Sequence, residues 1–212
     1  MPLHEVTCPS CGASVKFASG ASVIAVCAYC RATLLRRDLD VERIGTMSAL
    51  LEDPTPLQLE AEGLHRGTHF AVVGRLQVRW EHGQWNEWYL VFDDQRTGWL
   101  GEAGGEYSVS FETTVPEPLP PWAALRPGLP LTLGGVEYEV VDRREADVIG
   151  GEGELPFRVE GGWEIATADL RTPTARFATL DYSDESPRVY LGEMVEIGAL
   201  DLQGLRELDG WR

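Results

Sequence analysis

All four cysteines of the chain fall within its first 30 residues, as Cys8-Pro9-Ser10-Cys11 and Cys27-Ala28-Tyr29-Cys30, with 15 residues between the pairs. Two residues between paired cysteines let one tight turn aim two thiolates at a single point. Two such turns, one at each end of a short hairpin, complete a tetrahedral four-sulfur shell. Gly12 follows the first pair, where the chain leaves the knuckle through a backbone conformation that glycine tolerates. Ser14-Val15-Lys16-Phe17 and Ala21-Ser22-Val23-Ile24-Ala25-Val26 read as the hairpin strands around a Ser19-Gly20 turn. The spacing predicts a zinc ribbon over residues 1–37, with Cys8, Cys11, Cys27 and Cys30 holding a structural Zn2+. Other readings fit less well. A disulfide framework suits a secreted chain, whereas Met1-Pro2-Leu3-His4-Glu5-Val6 has neither a basic nor an apolar targeting region. A catalytic zinc keeps one position open, which four thiolates close. A rubredoxin-type iron site also pairs its cysteines, but here Arg31 follows the second pair in place of glycine.

Charge divides the chain into two parts. The net charge is −16, from 34 acidic and 18 basic residues, yet residues 1–40 stand at +1. The remainder carries 14 basic and 31 acidic residues, a balance of −17. That sign argues against nucleic acid as a partner of the acidic part, because phosphate neutralisation needs basic residues. For the ribbon, with Lys16, Arg31, Arg36 and Arg37, the exclusion does not follow. No apolar run approaches the roughly 20 residues that span a bilayer, so no transmembrane segment and a cytoplasmic location are expected.

Beyond the ribbon the expectation is mainly β. Residues 38–56 read as a linker with one helical turn at Met47-Ser48-Ala49-Leu50-Leu51. Runs such as Thr68 to Trp80, Glu87 to Phe92, Thr97 to Leu100 and Tyr107 to Phe111, separated by Gly, Asp and Asn clusters, predict a first antiparallel unit over 57–112. Six prolines between Pro116 and Pro130 mark an extended connector over 113–130, since proline cannot donate to a ladder. The pattern returns in a second β unit over 131–200, before a C-terminal tail over 201–212. Gly67 to Arg75 aligns without gaps on Gly135 to Arg143, sharing the glycine, two valines and the arginine. The fold expected is an antiparallel β sandwich or barrel, built as two related units if that echo is more than coincidence.

One run concentrates aromatic side chains, Trp85-Asn86-Glu87-Trp88-Tyr89-Leu90-Val91-Phe92. In a strand, Trp88, Leu90 and Phe92 share one face, an obvious core, and Trp85, Glu87, Tyr89 and Val91 share the other. Trp85, Glu87 and Tyr89, with Trp99 nearby, form a candidate binding surface for a cation or an arginine-bearing partner. The plainer account has Trp85 and Tyr89 covering a sandwich while Glu87 pairs with Arg75 or Arg79.

The same run, followed by Trp99-Leu100 and Glu102 before Gly105 and preceded by Phe70-Ala71-Val72-Val73-Gly74-Arg75, resembles the bacterial family called domain of unknown function 4178. The likeness covers residues 55–200 and extends to the ribbon, which members often carry. The resemblance implies no activity and no catalytic residue. It implies a genomic neighbourhood of polyamine synthesis and membrane-stress proteins similar to phage-shock coiled coils, hence an accessory role.

Catalytic constellations are sparse. His65, His69 and His82 read as solvated surface residues, and the glycine-rich Gly101 to Gly105 and Gly150 to Glu154 read as loop turns whose glutamates repel phosphate. No nucleophile elbow, phosphate loop or dinucleotide fingerprint is present. Two function classes follow. One is a non-catalytic adaptor with a protein partner, linked through the family context to membrane stress or polyamine systems. The other is a binder of, or enzyme acting on, a cationic small molecule such as a polyamine, concentrated by the acidic domain.

Overall fold

Tight turns and polar–apolar alternation build an almost entirely β molecule. The computed structural model describes residues 4–37, 40–158 and 163–208. The ends of the expected ribbon and tail at 1–3 and 209–212, and residues 38–39 of the expected linker, lie outside the described residues. The ribbon comprises β1 (His4–Thr7), β2 (Ser14–Phe17), β3 (Ile24–Val26), β4 (Ala32–Arg37) and β5 (Asp40–Thr46). β1 pairs with β2, while β3, β4 and β5 form a second antiparallel run.

Eight strands then close into a barrel. β6 (Glu62–His65) leads into the meander β7 (Thr68–Trp80), β8 (Gly83–Phe92), β9 (Thr97–Ala103) and β10 (Glu106–Glu112). β11 (Pro130–Leu133) leads into a second meander, β12 (Val136–Leu155), β13 (Trp163–Arg171), β14 (Arg176–Asp181) and β15 (Arg188–Val195). β10 pairs with β15, and β12 pairs with β7 from Gly150↔Gln77 to Gly153↔Gly74, which completes the ring. The halves match in plan: each is a short strand, a hairpin and four strands. Arg66-Gly67 and Gly134-Gly135, all at positive φ, make the two hairpin turns. Both members of the sequence echo therefore start the strand that enters a meander.

The closing seam corrects the loop reading of Gly150 to Glu154. Those residues continue β12, and glycine lets two backbones meet there: a Cβ on Gly74 would lie 1.7 Å from the Glu154 carbonyl oxygen. A side chain at Gly74 or Gly153 would hold the two backbones apart.

Three apolar clusters follow from the closure. One lines the lumen. A second covers the outer face of β7 to β10, where Trp88, Leu90, Phe92 and Leu100 lie beneath Leu57, Ala61 and Leu200. The third covers the outer face of the other meander, where Tyr138, Val140, Leu170 and Leu180 lie beneath the proline-rich segment through Leu119, Trp122 and Leu125. That segment forms no strand before Pro130; it is held by side chains, by Tyr182 Oη, which donates to the Pro120 carbonyl at 2.6 Å, and at its ends by backbone bonds from Thr113 N to Val189 O, Gly128 N to Val140 O and Val140 N to Leu129 O.

Residues 38–56 are more than a linker. β5 occupies 40–46, and Met47 is buried in the lumen cluster. No helical turn forms over 47–51, because the Leu51 backbone bonds to the Gln77 side chain in both directions, at 2.7 and 3.0 Å, in place of helical partners. The ribbon is likewise continuous with the barrel. β3 pairs with the end of β12, and the Glu154 carboxylate accepts hydrogen bonds from Ala18 N, Ser19 N and Ser22 Oγ. Ile24, Val26 and Leu35 pack in one cluster with Tyr89 and Trp99, so the ribbon forms the floor of the barrel. No helix among the described residues is long and apolar enough to cross a membrane.

Candidate functional site

The four cysteine sulfurs converge at one point. Their Sγ atoms all lie within 4.8 Å of one another, and the Cys8–Cys30 and Cys11–Cys27 separations are both 3.7 Å. A tetrahedron of sulfurs at a metal–sulfur distance of about 2.3 Å has edges of about 3.8 Å, so the set fits a metal ion. Each knuckle is closed by backbone bonds, Gly12 N to Cys8 O and Arg31 N to Cys27 O, at 2.9 and 2.8 Å. Gly12 and Arg31 both take positive φ, +78° and +60°. Arg31 is held there by its Nε donating to the Met47 carbonyl at 2.9 Å.

The second site is the lumen, a cavity of about 500 Å³. Inward-facing residues of opposite walls give it aromatic sides and an acidic middle. Trp80, Trp85, Trp99 and Trp163 line it, with Phe157 stacked on Trp99 at 5.8 Å and set edge-on to Trp163 at 5.3 Å. Glu87 on β8 faces Asp169 on β13 and Asp181 on β14 across the space. Each carboxylate has one oxygen fixed: Glu87 Oε1 accepts from Trp85 Nε1 at 2.9 Å, Asp169 Oδ1 from Thr179 Oγ1 at 2.8 Å, and Asp181 Oδ1 from Ser183 N at 2.9 Å. The second oxygens, Glu87 Oε2, Asp169 Oδ2 and Asp181 Oδ2, accept no hydrogen bond from the described residues.

Among the described residues no cationic side chain forms an ion pair with these three. Arg144 pairs with Asp142, Arg171 with Glu106 and Arg188 with Asp184. Enclosure therefore governs the ionisation of Glu87 and Asp169. Burial, reinforced by Asp169 and Asp181 and opposed by the Trp85 hydrogen bond, pushes Glu87 from 4.5 to about 8. Burial pushes Asp169 from 3.8 to about 6; the Thr179 bond, Arg144 and Arg171 oppose it and Asp142 adds to it. Carboxyls held in this state gain most from a positively charged group placed between them.

The residues singled out in the sequence share this interior. Trp85, Glu87 and Trp99 line the cavity in place of an open surface, while Tyr89 is buried beside Trp99 against the ribbon floor. Glu87 does not pair with Arg75. That arginine lies on the outer face above Trp88, at 2.5 Å from Asp53 Oδ2 and 3.0 Å from Asn86 Oδ1. Arg79 is exposed and likewise forms no ion pair with Glu87. His65 is buried, with Nε2 at 2.9 Å from Glu193, because the β6–β7 turn folds over Phe92 and Phe111. His69 and His82 are exposed. Sequence reading missed Asp169, Asp181, Trp163 and Phe157. The alternation Thr167-Ala168-Asp169-Leu170-Arg171 was the available signal, but a polar face normally means solvent, and only closure of the ring turns it inward.

A family model for a domain of unknown function, DUF4178, matches residues 58–196. The chain belongs to this family. The DUF4178 region takes in all eight barrel strands and every lumen carboxylate described above, while the four cysteines lie before it. No curated protein and no solved structure matches the chain.

Proposed function

We propose that this DUF4178 protein is a non-catalytic binder that holds an organic polycation, of the polyamine class, in the lumen of its barrel. The observation that carries the reading is the set of three carboxylates without ion-pair partners among the described residues, Glu87, Asp169 and Asp181, each offering one oxygen that those residues leave unengaged to an aromatic-walled cavity. A compact metal ion suits this set poorly. Among the described residues the four cysteines are the one group whose ligand atoms gather within 4.8 Å, so the acids are too dispersed for a single small ion. A linear polyamine distributes its ammonium groups over such a spread, and its methylene segments and charge both suit tryptophan faces. The −17 carried after residue 40 favours encounter with such a ligand. In the ribbon, Zn2+ is the metal we assign to the tetrahedral thiolate shell, where it supplies structural rigidity. An adaptor role through Trp85 and Tyr89 lacks an open surface, since Trp85 lines the cavity and Tyr89 is buried.

A thermal-shift titration tests the reading. Spermidine is expected to raise the melting temperature at about 0.15 M salt, where diffuse attraction is screened beyond about 8 Å. Glu87→Gln should remove the shift. A shift that disappears with salt, or that persists unchanged in Glu87→Gln, contradicts a lumen site.

A further inference from the structure

Two arginines share the lumen with the acids, and one of them crosses its mouth. Arg171 ends β13, two residues beyond Asp169 on the same inward face. Its Nη2 reaches Glu106 Oε2, at the start of β10, at 2.6 Å. These strands are not neighbours, because β14 and β15 lie between them. At about 4.8 Å per strand the contact bridges on the order of 14 Å of rim. It does so at the end bearing the β7–β8, β9–β10 and β13–β14 turns, away from the ribbon floor.

Arg171 is not fully satisfied in this position, since its Nε is buried without a hydrogen-bond partner among the described residues. Its charge also acts on Asp169, two residues away. Arg144 meanwhile lies 3.9 Å over the Trp80 ring, occupying a face that a bound cation would otherwise use. The protein's own guanidinium groups thus hold places suited to a ligand's positive charge.

We propose that Arg171 is a built-in competitor for the lumen's cation, strapped to Glu106 across the mouth and displaced from it as the ligand enters. This rests on the polycation reading and adds a selectivity consequence. A ligand must carry enough charge to replace Arg171 at Glu106 while engaging Glu87 and Asp169 within, which favours extended polycations over monoamines.

Calorimetric titration of spermidine into wild type, Arg171→Gln and Arg171→Lys tests the proposal. Arg171→Gln is expected to bind roughly three- to tenfold tighter, the scale of one partly exposed competing charge. Arg171→Lys, which keeps the charge, should stay near wild type. Equal or weaker binding by Arg171→Gln, with wild type binding, overturns the competitor and leaves the polycation reading standing. Absence of spermidine binding by wild type overturns the polycation reading instead, and a ligand-free measurement then decides the role of Arg171. Tryptophan fluorescence followed against pH reports the lumen acids. Asp169 faces Asp142 and Arg144 from β12, Asp181 from β14 and Glu87 from β8, so loss of Arg171 should move the midpoint upward. An unchanged or lower midpoint overturns the competitor. If Arg171→Gln fails to fold, Arg171→Met removes the same charge while keeping the apolar stem: tighter spermidine binding supports the proposal, and equal or weaker binding contradicts it.

Discussion

Removing the Zn2+ we assign to Cys8, Cys11, Cys27 and Cys30 is expected to disturb the barrel as well as unfold the ribbon. A structural four-thiolate zinc site contributes on the order of 10 kcal/mol to the folding of a small ribbon, and this ribbon is built into its neighbour. Cys27 directly follows β3, and β3 pairs with Gly153 to Leu155 beside the closing seam. Ile24, Val26 and Leu35 contribute to the cluster that contains Tyr89 and Trp99. Loss of metal therefore uncovers the floor of the lumen. Chelation, or Cys27→Ser, should release the ion, change the near-ultraviolet signal of the floor aromatics and lower the melting temperature of the whole transition. A ribbon that unfolds while the barrel's near-ultraviolet spectrum and melting temperature stay unchanged would show that the two parts are independent.

Cation binding in the lumen is expected to release a proton near neutral pH. Glu87, pushed up to about 8, is mostly protonated in the ligand-free protein, and an ammonium beside it favours the ionised form. The same displacement fixes the sign of the stability change. The folded state holds the proton more tightly than the unfolded state, so the contribution of Glu87 is greatest below about 4.5 and is lost as pH rises toward about 8. Asp169 acts in the same direction between about 3.8 and about 6. Glu87→Gln should flatten the upper part of that profile and exceed wild type in melting temperature above pH 8, at about 2–4 °C for each kcal/mol relieved. Spermidine affinity should rise with pH over the same window, by up to about tenfold per unit where one proton is released. Calorimetry in buffers of different protonation enthalpy measures that proton directly. Binding without proton release, or affinity that falls as pH rises toward 8, contradicts the assigned role of Glu87.

Much of the local structure was legible in the residues themselves. The cysteine spacing located the two knuckles whose sulfurs converge, and alternation placed Trp88, Leu90 and Phe92 opposite Trp85, Glu87 and Tyr89, as the two clusters require. The Gly67 and Gly135 echo marked equivalent hairpins. Closure was harder to read, because a strand's alternation separates its faces without telling which is inside. Here both faces are covered: Leu57 and Leu200 cap one outer wall, and the proline-rich segment caps the other. Polar residues such as Asp169 and Thr179 consequently turn toward an enclosed cavity instead of solvent. Glycines in Gly150 to Glu154 resembled a loop for a related reason, since a seam where two backbones meet needs the small residues that also make turns.

A crystal structure of the protein grown with spermidine tests the central claim most directly. The account predicts continuous ligand density inside the barrel, with nitrogen atoms within hydrogen-bond distance of Glu87 and of Asp169 or Asp181, and with Arg171 moved away from Glu106. Spermidine confined to the outer acidic surface, with the lumen unchanged at saturating ligand, would contradict it.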